Sequence, residues 1–218
     1  MFEPICFCTQ DLADVPEGDD WLSRGERDVL SGLRVPKRRG DWRLGRWTVK
    51  NVIRDYLKLS DDTDLSLIEI YAAADGAPEA FLHNEPAGTA ISISHSNGRS
   101  FCCAGPAGRT LGCDIELVTP RDSAMIADFY TTEEIDQVQA AAPENKDLIT
   151  NLIWSAKESM LKALREGLRR DTRDVMVTLE SFNDTAEWNH WHGRCAQSSQ
   201  IFQGHWTAVD RFVKTFVG

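Results

Sequence analysis

The sequence predicts an α+β fold made of two similar modules packed side by side, residues 1–106 and 107–218. Three observations lead there. Strand-like and helical stretches alternate along the whole 218-residue chain, without a low-complexity segment or a long linker. The turn Gly105-Pro106-Ala107-Gly108 divides the chain into halves of about equal length. Each half then reads as strand, charge-bearing long helix and further strands, and 42% hydrophobic residues are enough for a buried core. No internal sequence repeat stands out by inspection.

Residues 2–8 are an apolar strand-like run. Trp42 to Leu59 is predicted helical because Leu44, Trp47, Val49, Val52, Ile53, Tyr56 and Leu57 recur at helical spacing. Arg39, Arg43, Arg46, Lys50 and Arg54 step by three or four and form a basic stripe beside the apolar one. Leu65 to Ala73 reads as a strand and Asp75-Gly76-Ala77-Pro78 as a turn. Ala90 to His95 alternates like a strand that ends at Asn97-Gly98, with further strands at Ser100 to Ala104 and Thr110 to Glu116. Thr131 and Glu134 have capping-box spacing. A long helix is expected from Pro143, allowed in a first turn, to about Glu166, with Gly167 past its end. Val175 to Leu179 and His205 to Val209 return to strands.

Composition narrows the class. The N-terminus has an early acid and no basic stretch, and nowhere do about 18 apolar residues run together, so a cytoplasmic protein without membrane attachment is expected. The six cysteines show neither paired CxxC motifs nor zinc-finger spacing and read as reduced packing residues. A net charge of −10 argues against nucleic acid, yet Arg34 to Arg54 holds eight basic residues against one acid. A second basic stretch runs from Lys157 through Lys162, Arg165, Arg169 and Arg170 to Arg173. Such islands focus the field on a small anionic ligand while the whole chain repels bulk polyanion.

Three acids carry the chemistry. Asp114 and Glu116 stand two apart on a predicted strand and project from one face, while Cys113 and Ile115 point into the core. Magnesium is commonly held by one or two carboxylates together with substrate phosphates. Glu158 and Lys162 stand four apart on the long helix and share a face, with Lys157 about 100° round and able to reach the edge of the same site. A carboxylate so placed can take a proton from a hydroxyl, and an ammonium can stabilise charge on a phosphate or leaving oxygen. Taken alone, each fragment reads more simply as a half-exposed strand or a surface salt bridge. His95 with Ser94 and Ser96 ends a strand where hydroxyls and an imidazole can bind phosphate oxygens.

In their order, Ile93-Ser94-His95-Ser96, Gly112-Cys113-Asp114-Ile115-Glu116 and Trp154-Ser155-Ala156-Lys157-Glu158-Ser159-Met160-Leu161-Lys162-Ala163 resemble the three signature blocks of the Sfp-type 4′-phosphopantetheinyl transferases. The run Lys37 to Trp47 resembles that family's basic coenzyme A segment. The resemblance spans about residues 25 to 180 and implies that the two modules form an intramolecular pseudo-dimer, the chain acting as a monomer. It implies transfer of the phosphopantetheine arm of coenzyme A to a serine of an apo acyl, peptidyl or aryl carrier protein, with release of adenosine 3′,5′-bisphosphate. Asp114, Glu116 and Glu158 would hold Mg²⁺, with Mn²⁺ as an alternative. Glu158 would be the base and Lys162 would stabilise charge. Ser94 and His95 would bind phosphate oxygens, and Arg38 and Arg46 the 3′-phosphate. The adenine-side turn, often Gly-Lys-Pro or Gly-Arg-Pro in the family, is Gly76-Ala77-Pro78 here, so a charge contact is missing that Arg39 or Arg43 would replace. Glu134 falls near a family acidic position, though capping accounts for it. Arg165, Arg169 and Arg170 would dock an acidic carrier. Two other readings stay open, a metal-dependent nuclease or phosphodiesterase and a non-catalytic subunit that binds coenzyme A or a carrier. His83, His190, His192 and His205 receive no role.

Overall fold

The structure is a computed structural model that describes residues 5–180, 188–198 and 200–218. It is a mixed helix and sheet fold that divides into two units, Met1–Leu111 and Gly112–Gly218. The division falls beyond the Gly105–Gly108 turn. Leu111 is buried, and Leu111 and Arg109 lie near Gly105, so the loop after that turn packs back onto the first unit.

In the first unit β1 (Cys6–Asp11) precedes helices α1 (Arg24–Gly32) and α2 (Pro36–Tyr56), followed by β2 (Ile68–Ala72), β3 (Pro78–Leu82), the two-residue β4 (Glu85–Pro86), β5 (Thr89–Ser96) and β6 (Arg99–Pro106). One antiparallel sheet has the order β1-β6-β5 and the other β2-β3-β4. Helix α2 packs on β1, β5 and β6 and buries Val49, Val52 and Ile53 with Leu22, Ile68, Ile70 and Cys102. It starts six residues before the expected Trp42, because Pro36 at its first position needs no N–H partner. It stops at Tyr56, where Lys58 takes φ 54° and Leu59 N–H closes on Arg54 C=O. The strand expected from Leu65 begins at Ile68, since Asp64 caps a 3₁₀ turn over Leu65–Leu67. Asn97 (φ 47°) and Gly98 (φ 79°) form the tight turn between β5 and β6, the two-residue hairpin that Asn-Gly favours.

The second unit runs β7 (Gly112–Leu117), α3 (Ser123–Phe129), α4 (Thr132–Ala140), α5 (Lys146–Ala163), β8 (Val175–Leu179), β9 (Asn189–Cys195), β10 (Ile201–Val209) and β11 (Phe212–Val217). Its antiparallel sheet has the order β7-β11-β10-β9-β8. Helix α5 is shorter than expected at both ends: Pro143–Asn145 is a 3₁₀ turn, and Arg165 at φ 59° ends the helix before Gly167. It lies so close to β7 that a Cβ on Gly112 would stand 1.9 Å from the Ser159 carbonyl oxygen. Ser155 and Ser159 hydroxyls clasp Thr215 of β11 at 2.9 and 2.7 Å.

The two units repeat one plan: strand, capped helix, long helix, and an antiparallel set of strands that ends in a hairpin. The repeat reaches individual residues. In the first unit Ser23 and Glu26 form a capping box, and Glu26 accepts from Lys50 of α2 at 2.5 Å and from Ile70 N–H of β2 at 3.2 Å. In the second, Thr131 and Glu134 form the box, and Glu134 accepts from Lys157 of α5 at 2.6 Å and from Val177 N–H of β8 at 2.8 Å. Trp21 meets Trp47 edge to face in one unit, and Phe129 meets Trp154 likewise in the other. The sequence thus does contain a repeat, Trp47-Thr48-Val49-Lys50-Asn51 against Trp154-Ser155-Ala156-Lys157-Glu158. Among the described residues, no helix is long and apolar enough to cross a membrane, and all six cysteines are free thiols.

Candidate functional site

Strand β7 is buried along most of its length and sends Asp114 and Glu116 to the side opposite Cys113 and Ile115. On α5, Trp154, Glu158 and Lys162 follow one another at four-residue steps and so form a stripe. Packing α5 on β7 brings stripe and carboxylates together. Lys162 Nζ donates to Asp114 Oδ1 at 2.7 Å and to the Cys113 carbonyl at 3.1 Å, and stands 3.7 Å from Glu158 Oε2. Asp114 is only 2% exposed. Glu116 Oε1 accepts from Trp154 Nε1 at 3.2 Å, and its Oε2 lies 3.1 Å from Arg121 Nη2. The second unit therefore brings Asp114, Glu116, Glu158 and Lys162 near one another.

The electrostatics follow from this crowding. Burial pushes the Glu158 carboxyl up to about 7, with the Asp114 charge adding to it and Lys162 opposing. Burial and then Asp114 also raise Glu116, against Arg121 and Lys162. Burial works to lower Lys162, but the Asp114 and Glu158 carboxylates outweigh it and hold the ammonium above the ordinary lysine range. Carboxylates that resist ionising beside one lysine make a site where further positive charge is favourable. Such an all-oxygen donor set suits a hard dication such as Mg²⁺ or Mn²⁺. Among the described residues no three of these side chains yet converge on a single point, because Asp114 and Glu158 both face Lys162.

Lys157 is not at the edge of this site. It is fully buried, donates to Glu134 at 2.6 Å and to the Val175 carbonyl at 2.7 Å, and burial lowers its pKa against the Glu134 charge. One residue along a helix is a rotation of about 100°, which sends Lys157 into the core while Glu158 remains in the stripe. Glu134, likewise fully buried, is spent on its cap, on Lys157 and on Val177. Arg170 is tied to Glu166 and Asp174, whereas Arg165 and Arg169 are exposed.

The first unit holds the remaining expected residues. Arg38 is exposed near the start of α2. Arg46 is mostly buried, lies over the Trp42 ring at 4.7 Å and stands 3.7 Å from Glu26. Its neighbours do not form a free basic stripe. Arg43 pairs with Asp19 at 2.9 Å and donates to the Gly18 carbonyl, Arg39 donates to the Leu30 carbonyl, and Lys50 is buried against Glu26. Arg39 and Arg43 thus pin the segment before α1 and the end of α1, and supply no substitute for the charge absent at Ala77. Ser94 is buried and His95 exposed on β5, where Gly45 lets α2 lie close: a Cβ there would stand 3.2 Å from Ile93 and 4.0 Å from His95. Gly76 (φ 83°) with Ala77 and Pro78 forms the turn between β2 and β3. At the repeat positions of Glu158 and Lys162 the first unit has Asn51 and Asp55, so the carboxylate and lysine pair occurs once.

Sequence reasoning gave no role to Trp154 or Arg121. Trp154 was findable, standing one turn before Glu158 on the same stripe; Arg121 lies in a loop without periodicity. Of the histidines, His192 pairs with Glu180 at 2.7 Å, and His205 stacks on Phe216 and sits beside His190. His83 (φ 53°) turns the chain between β3 and β4.

Comparison with known proteins adds to this picture. Residues 110–210 match the family described as the 4′-phosphopantetheinyl transferase superfamily. The chain is 23% identical over 163 residues to 4′-phosphopantetheinyl transferase HetI of Nostoc sp., covering 74% of this chain and 64% of that protein, so it spans somewhat less than two thirds of HetI. It is 22% identical over 195 residues to the putative 4′-phosphopantetheinyl transferase slr0495 of Synechocystis sp., covering 81% of this chain and 78% of that one. Among solved structures, holo-acyl-carrier-protein synthase of Thermotoga maritima aligns with a TM-score of 0.41 at 17% identity, over 60% of this chain and 76% of that one.

Proposed function

We propose, for a chain whose residues 110–210 match the 4′-phosphopantetheinyl transferase superfamily, that it moves the phosphopantetheine arm of coenzyme A onto a serine of an apo carrier protein. The observation that carries this reading is the gathering of Asp114, Glu116, Glu158 and Lys162 into one mostly buried set, with the Glu158 carboxyl raised to about 7. A carboxylate held beside a lysine in such a set can take a proton from an incoming hydroxyl.

The reaction follows from the groups at hand. The carrier serine oxygen attacks the β-phosphorus of coenzyme A in line; the Oγ–P bond forms as the bond from that phosphorus to the bridging oxygen breaks. Glu158 accepts the serine proton. Lys162 balances charge growing on the bridging oxygen, which leaves with adenosine 3′,5′-bisphosphate. Asp114, Glu116 and Glu158 would hold Mg²⁺ or Mn²⁺, which neutralises pyrophosphate charge when bound. Asp114 also holds Lys162 in place through its 2.7 Å contact. By the family resemblance, Arg38 and Arg46 would serve the 3′-phosphate, Ser94 and His95 phosphate oxygens, and the Gly76-Ala77-Pro78 turn the adenine side. Arg165, Arg169 and Arg170 would meet the acidic carrier surface, Arg170 from its pairs with Glu166 and Asp174.

The test follows adenosine 3′,5′-bisphosphate by chromatography after mixing the protein with Mg²⁺, coenzyme A and an apo carrier. Release that requires the carrier serine supports the transferase. Release without any carrier would mark a phosphodiesterase, and coenzyme A binding without release a non-catalytic subunit.

A further inference from the structure

Each carboxylate oxygen of Glu116 is held by a side chain, Oε1 by Trp154 and Oε2 by Arg121. Arg121 is itself fixed, because its Nε donates to Asn151 Oδ1 at 2.7 Å. Asn151 is fully buried and spends its amide nitrogen on the Thr119 and Asp147 carbonyls, each at 2.7 Å. With both N–H groups committed, its oxygen is the only atom it can present to Arg121. A line of directed bonds therefore runs from the α5 backbone through Asn151 and Arg121 to Glu116. Neither Arg121 nor Asn151 lies in the blocks that carry the candidate chemistry.

We propose that Arg121 is a positioning residue: locked by Asn151, it fixes the Glu116 carboxylate on the face of β7 that carries Asp114 and so strengthens the hold of the set on a divalent cation. The inference rests on the reading of these carboxylates as a cation site. A guanidinium suits the task because its planar fork can hold Asn151 with one nitrogen and Glu116 with another. Charge alone predicts the opposite sign. A resident positive group near the site repels a dication, so an arginine that acted only by its charge would weaken cation binding, and its removal would tighten it.

The sign of the change therefore decides. The Mg²⁺ concentration that gives half of the maximal thermal stabilisation would be measured on the full chain as wild type, Arg121→Gln and Arg121→Lys, with Mg²⁺ alone as the probe. Loss of an aiming partner typically costs ten- to a hundredfold in metal affinity, so Arg121→Gln is expected to raise the midpoint about tenfold or more, and Arg121→Lys by less. An unchanged or lower midpoint in Arg121→Gln overturns the proposal. Should that variant not fold, Arg121→Lys is judged by the same sign. No Mg²⁺ response in the wild type would remove the cation reading itself, a failure distinct from a wild-type response that Arg121→Gln leaves intact.

Discussion

Replacing Lys157 by methionine removes the ammonium and keeps most of the side-chain volume. Lys157 and Glu134 are both fully buried, so the change strands a carboxylate away from water with two remaining N–H donors, from Thr131 and Val177, and leaves the Val175 carbonyl without its lysine donor. Breaking a buried pair from one side costs about 3–5 kcal/mol. At about 2–4 °C per kcal/mol for a chain of this size, the melting temperature falls by roughly 6–20 °C. Glu134→Gln in the same chain neutralises the stranded charge and keeps an acceptor oxygen for one of the two N–H groups, so the double variant recovers part of the loss. Lys37→Met, which breaks an exposed pair, is the control and should cost under about 1 kcal/mol. Calorimetry of the four proteins decides the matter. A Lys157→Met loss no larger than that of Lys37→Met would refute the buried-anchor argument.

The repeat predicts that Lys50→Met, which leaves Glu26 with Arg46 at 3.7 Å as its remaining cation, destabilises the first unit by about 3 kcal/mol, toward the lower end of the range for a broken buried pair, on denaturant titration. Gly112→Ala drives a methyl group into the Ser159 carbonyl and should cost about 3 kcal/mol or abolish folding, seen as a lost or lowered thermal transition. Glu158→Gln should lower the transfer rate by about 10²–10⁴, the usual worth of a general base, with the melting temperature held or raised because a buried charge is removed.

Much of this was legible because it is written locally. The Thr131 and Glu134 box, the Asn97-Gly98 turn and the Glu158 and Lys162 spacing are short-range signals, and each appears where expected. Signals carried by distant partners were not. The basic stripe of α2 read as an open positive face, yet Arg39, Arg43 and Lys50 face acids and carbonyls supplied by residues 16–30. Helix α1 was missed although Ser23 and Glu26 mark its start, since few apolar residues follow them. Strand β9 was missed because Asn189, Gly193 and Cys195 share its buried face with only one large apolar residue, Trp191. Trp191 fits against β10 only because Gly204 has no side chain. The internal repeat escaped inspection because it survives in helix anchors and caps, while Asn51 and Asp55 replace the residues of the carboxylate site. The strand expected over residues 2–8 begins outside the described residues; from Cys6 the strand extends to Asp11.

The central claim is that the carboxylate and lysine set of the second unit performs phosphopantetheine transfer. Intact-protein mass spectrometry of an apo carrier, incubated with coenzyme A, Mg²⁺ and either wild-type protein or Asp114→Asn, tests it most directly. A phosphopantetheine mass increment on the carrier serine is expected with wild type and almost none with a folded Asp114→Asn. Loading by Asp114→Asn at the wild-type rate, or no loading of any apo carrier by the wild type, would contradict it.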